Sequence, residues 1–309
     1  MAGVRDHKLY LALVAGLAVA PFLLYPIFVM KVLCFALFAC AFNLLIGYVG
    51  LLSFGHAAFL GIAGYAAGHS AKVWGLGPEA AMLAGMLSAG ALGLVFGLLA
   101  IRRQGIYFAM ITLALAQMVY FFSLRAPFTG GEDGIQGVPR GRLFGVIDLN
   151  QDLVLYYVVA VVFLAAFLLM VRIINSPFGE VLKAIRDNEP RAVSLGYQVD
   201  RYKLMVFVIS AALSGLAGAV KVEVFQLAAL TDVHWTMSGE VVLMTLLGGL
   251  GTVFGPVVGA AVIIAMQHYL APIGAWVTVV QGVIFVVCVL TFRRGIVGEI
   301  MARWGQSAR

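Results

Sequence analysis

Hydrophobic positions along this chain come in long, nearly unbroken runs and seldom alternate. Ten such segments can be drawn, at about 9–29, 32–50, 57–74, 78–101, 105–124, 153–173, 204–222, 238–250, 254–271 and 274–292. A run of about 20 apolar residues has the length of a bilayer-crossing helix. Short alternating segments, the mark of a membrane β-barrel, are absent. The pattern predicts an all-α polytopic membrane protein of about ten transmembrane helices, forming one domain over 1–309. The segment at 238–250 is short and Gly-rich at its end, which predicts a broken or re-entrant element. Arg5 and Lys8 before an apolar run imitate a signal peptide, yet the run continues past Pro21 through Met30, so it reads as a retained first helix.

Two polar stretches interrupt the pattern, at 125–152 and 175–203. The second contains "SPFGEVLKAIRDNEPRAVSLGYQVDRYK", with nine charged residues between Glu180 and Lys203, in a chain that has only 20 Lys+Arg and 14 Asp+Glu. Its local signals are those of folded helices. Ser176-Pro177 pairs an N-cap residue with proline at the first helical position, and Glu180 falls in the first turn, where the helix dipole favours an anion. Phe178, Val181, Leu182 and Ile185 then recur on one face. Asn188-Glu189-Pro190 ends this helix and starts another, which Gly196 terminates after Leu195. Five basic and four acidic residues make a poor match for anionic lipid. Mixed charge beside an apolar face predicts a docking site for a cytoplasmic protein.

Composition sharpens the class. The chain is 63% hydrophobic and 11% charged, against roughly 25% charged for a soluble domain. The net charge of +6 acts as an orientation signal and carries no nucleic-acid reading. Arg5/Lys8, Arg102/Arg103, the Arg172–Lys203 island and Arg293/Arg294 mark the cytoplasmic side, and ten spans place all four clusters and both termini there. The loop at 125–152 then faces outward. Cys34, Cys40 and Cys288 lie in apolar runs and read as packing residues, with no disulfide or metal set.

Polar residues inside apolar runs are the candidate chemistry, because they are costly in lipid and tend to face a bundle interior or a cavity. Asn43, Ser53, Phe54, His56 and Gln117 are the candidates for a translocation path; the competing role is hydrogen bonding between helices. His56 has no second ligand at metal-binding spacing. Gly61 and Gly64 fall on one face, as do Gly251, Gly255 and Gly259 at four-residue steps, and both sets predict close helix packing. "SFGHAAFLG" (53–61) and "VFGPVVGAA" (253–261) are a faint internal echo. Glu223 and Glu240 stand near helix ends, where the dipole accounts for Glu240. Glu132 and Asp133 in the outward loop are candidates to meet a binding protein. No catalytic constellation is present. None of the six lysines is followed by Ser or Thr, so the sequence cannot form a phosphate-binding loop for ATP.

Four motifs carry a resemblance. "NSPFGEVLKAIRDNEPRAVSLGYQVDRYKLMVFVISAALSGLAGA", "FNLLIGYVGLLSFGHAAFLGIAGY" (42–65), "TGGEDGI" (129–135) and "SGEVVLMTLLGGLGTVFGPVVGA" (238–260) resemble, in order, segments of the LivM-type permeases of branched-chain amino-acid ABC importers. The chain departs from them at Leu51-Leu52, where a Gln is frequent. The resemblance implies a bacterial inner-membrane permease that pairs with a second related permease, two cytoplasmic ATPases that bind ATP and Mg, and a periplasmic binding protein. It implies that the island is the coupling loop, with Phe178, Gly179, Ile185, Arg186, Asp187, Asn188, Glu189, Ala192, Leu195 and Gly196 as ATPase-coupling residues. No cofactor is implied for this chain itself. An ion-coupled secondary transporter is the alternative; it would require an intramembrane acid, for which Glu223 and Glu240 are the candidates.

Overall fold

The computed structural model describes residues 3–274, 276–291 and 294–306. Thirteen helices dominate: α1 (Gly3–Leu23), α2 (Pro26–Val49), α3 (His56–Lys72), α4 (Pro78–Ala100), α5 (Ile106–Arg125), α6 (Asp152–Ile174), α7 (Pro177–Asp187), α8 (Glu189–Ser194), α9 (Val199–Phe225), α10 (Trp235–Gly248), α11 (Gly255–Leu270), α12 (Trp276–Thr291) and α13 (Gly295–Gln306). Each of the ten apolar segments holds a helix. Among the described residues, five of them (α2, α4, α5, α6 and α9) are long and apolar enough to cross a bilayer unaided. The helices α3, α10, α11 and α12 have 17, 14, 16 and 16 residues, shorter than the full-length spans expected.

α2 is the central pillar. Its apolar stretch is 89% buried, against 28% for α4 and 33% for α5, so those two leave most of their surface to lipid or to another subunit. α6, α9, α10 and α11 all pack on α2, and α3 packs on α9 and α4. Glycines decide how close they come. A Cβ at Gly61 would collide with Val233, one at Gly64 would press on Val222 at 3.2 Å, and one at Gly248 or Gly259 would run into the backbone of α11 or α10.

Three of the four charge clusters lie at one end of the bundle. Arg186 on α7 donates to the Gly47 carbonyl at the end of α2. Arg102 shares a surface cleft with Arg201, and the Arg294 backbone lies against Gly249. Arg293 and the side chains of Arg5 and Lys8 lie outside the described residues.

The loop at 125–152 departs from the all-α expectation. It contributes short strands β1 (Ile135–Gln136), β2 (Arg142–Leu143) and β3 (Ile147–Asp148); β2 pairs with β3, and β1 pairs antiparallel with β4 (Leu227–Ala228) after α9. Gly134 has φ +67°, and a Cβ there would strike the Ala228 carbonyl, which is why this pairing needs glycine. Arg140 completes the clasp. It donates to the Glu223 and Val224 carbonyls at 3.3 and 2.6 Å, capping the end of α9, and pairs with Asp152 at the start of α6 at 3.1 Å. Glu132 and Asp133 stay exposed on the rim of this loop.

Candidate translocation site and coupling loop

Two helix breaks form the polar centre of the bundle, and they are built alike. In the first, α2 ends on Gly50 (φ +80°) and α3 begins after Phe54-Gly55. In the second, α10 ends at Gly249 (φ +124°) and α11 begins after Phe254. A hydroxyl just upstream accepts the glycine N–H in both: Ser53 Oγ from Gly55 and Thr252 Oγ1 from Gly255, each at 3.1 Å. The faint echo between the two Phe-Gly stretches is thus a shared local architecture. It also corrects one reading of spacing: Gly251 (φ +70°) lies in the connector before α11, off the helix face that carries Gly255 and Gly259.

Neighbouring helices satisfy the backbone groups that the breaks expose. Thr112 on α5 accepts from Phe54 N at 3.1 Å. Ser238 on α10 accepts from Ala57 N at 2.9 Å and donates to the Phe54 carbonyl at 2.8 Å. Asn43, one turn before Gly47 on α2, holds the second break with both ends of its amide: Oδ1 accepts from Gly251 N at 3.1 Å and Nδ2 donates to the Thr252 carbonyl at 3.0 Å. His56 is fully buried. Its Nε2 lies 2.9 Å from Ser210 Oγ, which donates to the Ala41 carbonyl, and its ring meets Phe42, Phe59 and Phe207 edge-on. Asn43 is thus tied to the second break, Ser53 and Phe54 to the first, and His56, the first residue of α3, to Ser210 on α9. Gln117 sits half-buried on α5 and takes no part in these hydrogen bonds. The void that Asn43 borders, between α2 and α6, measures about 10 Å³, at the lower limit for one water.

The loop at 175–203 folds as its capping signals dictate. Ser176 Oγ accepts from Gly179 N at 3.3 Å, Asn188 Oδ1 accepts from Arg191 N at 3.0 Å, and Gly196 adopts φ +87°. The apolar face of α7, however, turns inward. Leu182 and Ile185 are buried in the main core, as is Ala192 on α8. Phe178 stacks on Tyr202 with ring centroids 5.6 Å apart, beside a groove of about 700 Å³. Gly179 is buried where a Cβ would strike the Ile174 carbonyl. The outer side of the loop presents Asp187, Asn188, Val193, Leu195 and Gly196, with Val193 57% and Leu195 70% exposed. Periodicity shows that a helix has an apolar face, and only the fold shows what that face covers.

Two charged side chains anchor the loop to the bundle. Glu189 pairs with Lys203 at 2.6 Å, with Lys203 almost fully buried. Arg186 reaches Gly47, and its Nη1 also lies beside Gly251. Lys203→Met alone, leaving Glu189 uncompensated, is expected to destabilise the protein by about 3–5 kcal/mol, whereas Lys203→Met with Glu189→Leu should fall close to neutral. Thermal unfolding of the three proteins in detergent checks this: a single variant as stable as the double would remove the ion pair's role.

Residues 25–289 match the family described as branched-chain amino acid transport system, permease component. The chain belongs to that family. It is 26% identical over 82% of its length to the high-affinity branched-chain amino acid transport permease LivM of Salmonella typhimurium, and 25% identical over the same share to LivM of Escherichia coli. These alignments span 65% of each LivM protein, so the chain covers slightly less than two thirds of its relatives' length. It is also 29% identical over 58% of its length to the ribose import permease RbsC of Bacillus subtilis, again across 58% of that protein. No solved structure matches it. The chain is therefore a multi-pass membrane protein of that permease-component family. Sequence reasoning passed over Lys31 and Lys221, two lysines that lie inside α2 and α9.

Proposed function

We propose that this chain forms the translocation path of an ABC importer for branched-chain or other hydrophobic amino acids. It sits in a bacterial inner membrane and works by alternating access. Two separate ATPase subunits, binding ATP and Mg, supply the work at the coupling loop. A second related permease completes the path against the uncovered faces of α4 and α5. A periplasmic binding protein delivers the substrate to the outward loop, where Glu132 and Asp133 are exposed.

One observation carries this reading. Arg186 of the coupling loop holds the end of the central helix at Gly47, and Asn43 one turn deeper holds the broken connector at Gly251 and Thr252. A displacement of the loop has a short, hydrogen-bonded route to the break that closes the path. Translocation through Asn43, Ser53, Phe54 and His56 requires these bonds to exchange partners during the cycle.

Reconstitution tests it. The chain and its co-encoded subunits are placed in liposomes and radiolabelled leucine uptake is followed with ATP or with an ion gradient. Uptake is expected with ATP and binding protein only. Uptake driven by a proton or sodium gradient without ATPases would overturn the proposal in favour of an ion-coupled transporter.

A further inference from the structure

At the end of the bundle opposite the coupling loop, three helices place ionisable side chains at one depth. Lys31 is the sixth residue of α2, Glu240 the sixth of α10, and Lys221 the fifth from the end of α9. At about 1.5 Å rise per residue each lies roughly 6–8 Å inside its helix. Glu240 is thus beyond the first turn of α10, which contains no acidic residue, and the helix-dipole explanation of this glutamate fails.

The charges are not all spent on one another. Lys221 pairs with Asp232 and lies over the Phe35 ring, one turn from Lys31 on α2. Gln267 on α11 donates to Glu240 Oε2 at 3.1 Å and fixes that carboxylate. Phe28 on α2, one turn before Lys31, packs on His268 of α11 with ring centroids 4.9 Å apart, next to the Gln267 that holds Glu240. Yet among the described residues neither Lys31 nor Glu240 takes part in any ion pair. Both are half-buried. An ammonium and a carboxylate held inside a membrane bundle, near each other and not in contact, form an ion pair with a gap in it. Such groups in a membrane helix are functional by default, because a purely structural pair would close.

We infer that Lys31 and Glu240 bind the head group of a zwitterionic α-amino acid, Lys31 taking its carboxylate and Glu240 its ammonium. The inference rests on the amino-acid reading above and adds which residues of this chain recognise the substrate. A zwitterion neutralises both protein charges at once, whereas an amide or a carboxylic acid of the same side chain leaves one of them unpaired. The Lys221–Asp232 pair beside the site is already neutral and holds the local geometry.

The test uses the full-length chain with its co-purifying subunits in nanodiscs, with photo-leucine as the probe. Labelling is expected on peptides from α2 or α10 and should be competed by leucine. Leucinamide and 4-methylpentanoate should compete about tenfold less well or worse, the scale of one charged hydrogen bond. Lys31→Met should erase the preference for leucine over leucinamide alone, and Glu240→Gln the preference over 4-methylpentanoate alone. Equal competition by all three compounds in the wild type, or no labelling of α2 and α10, would overturn the inference, and neither result depends on a variant folding. ATP-driven leucine uptake by the same wild-type preparation separates the two claims. If uptake persists while the labelling pattern fails, the importer stands and this site falls.

Discussion

Gly259→Ala is expected to lose most of the folded protein, while Gly239→Ala is expected to keep it. Both glycines sit in or against the α10–α11 pair, but they face different surroundings. A Cβ at Gly259 would meet the Met244 carbonyl and approach Gly248 N at 2.9 Å, both of them backbone of α10. Backbone cannot rotate aside as a side chain can, so the two helices must separate. Separation also opens the connector between them, whose Gly251 and Thr252 are held from α2 by Asn43. The cost should lie at the upper end of the overpacking range, about 3 kcal/mol. Gly239 has nothing within 4 Å of a built Cβ, so alanine there adds only helix propensity, up to about 1 kcal/mol in the stabilising direction. Size-exclusion profiles and thermal unfolding in detergent distinguish the two. Equal behaviour of the variants would show that α10 and α11 do not approach as described.

How much of this was legible in the sequence depends on what kind of fact each residue carries. Caps are local, so Ser176, Asn188 and Gly196 were readable and fold as read. Helix content is nearly local, so each of the ten apolar segments became a helix, although their lengths, and hence which of them span unaided, were not readable. The direction of a buried face is not local. Leu182 and Ile185 could have faced a partner protein, and only the core behind α7 shows that they do not. The same holds for His56, whose hydrogen bond to Ser210 joins residues 154 apart in the chain. Lys31 fell in the gap between two apolar segments drawn at 9–29 and 32–50, whereas α2 starts at Pro26, the first helical position, and carries Lys31 within it. Glu240 was assigned to a helix start because the first turn of α10, Trp235-Thr236-Met237, carries no strong start signal apart from the cap at His234.

Arg186→Met is expected to separate ATP hydrolysis from transport. The argument starts from what Arg186 touches. Its guanidinium donates to Gly47 O near the C-terminal end of α2, where the last carbonyls lack helical partners and the dipole favours a cation. It also pairs with the exposed Asp187, a contact worth little in solvent. Met keeps much of the stem that packs near Gly50 and removes only the charged fork. The apolar seat of α7, made by Leu182, Ile185 and Phe178 on Tyr202, stays in place. So the exposed residues proposed for ATPase contact, Asp187, Val193, Leu195 and Gly196, are presented as before, and the ATPase subunits should co-purify at wild-type levels. What is lost is the link from loop to central helix, a charged hydrogen bond of about 1.5–3 kcal/mol. Leucine taken up per ATP hydrolysed should therefore fall by about tenfold or more, with hydrolysis itself within a few-fold of wild type. Arg186→Lys should restore part of the ratio, since an ammonium can reach one carbonyl even without the fork. Loss of ATPase co-purification in Arg186→Met would instead assign Arg186 to the docking surface, and an unchanged uptake-to-hydrolysis ratio would remove the Arg186–Gly47 contact from the path of force.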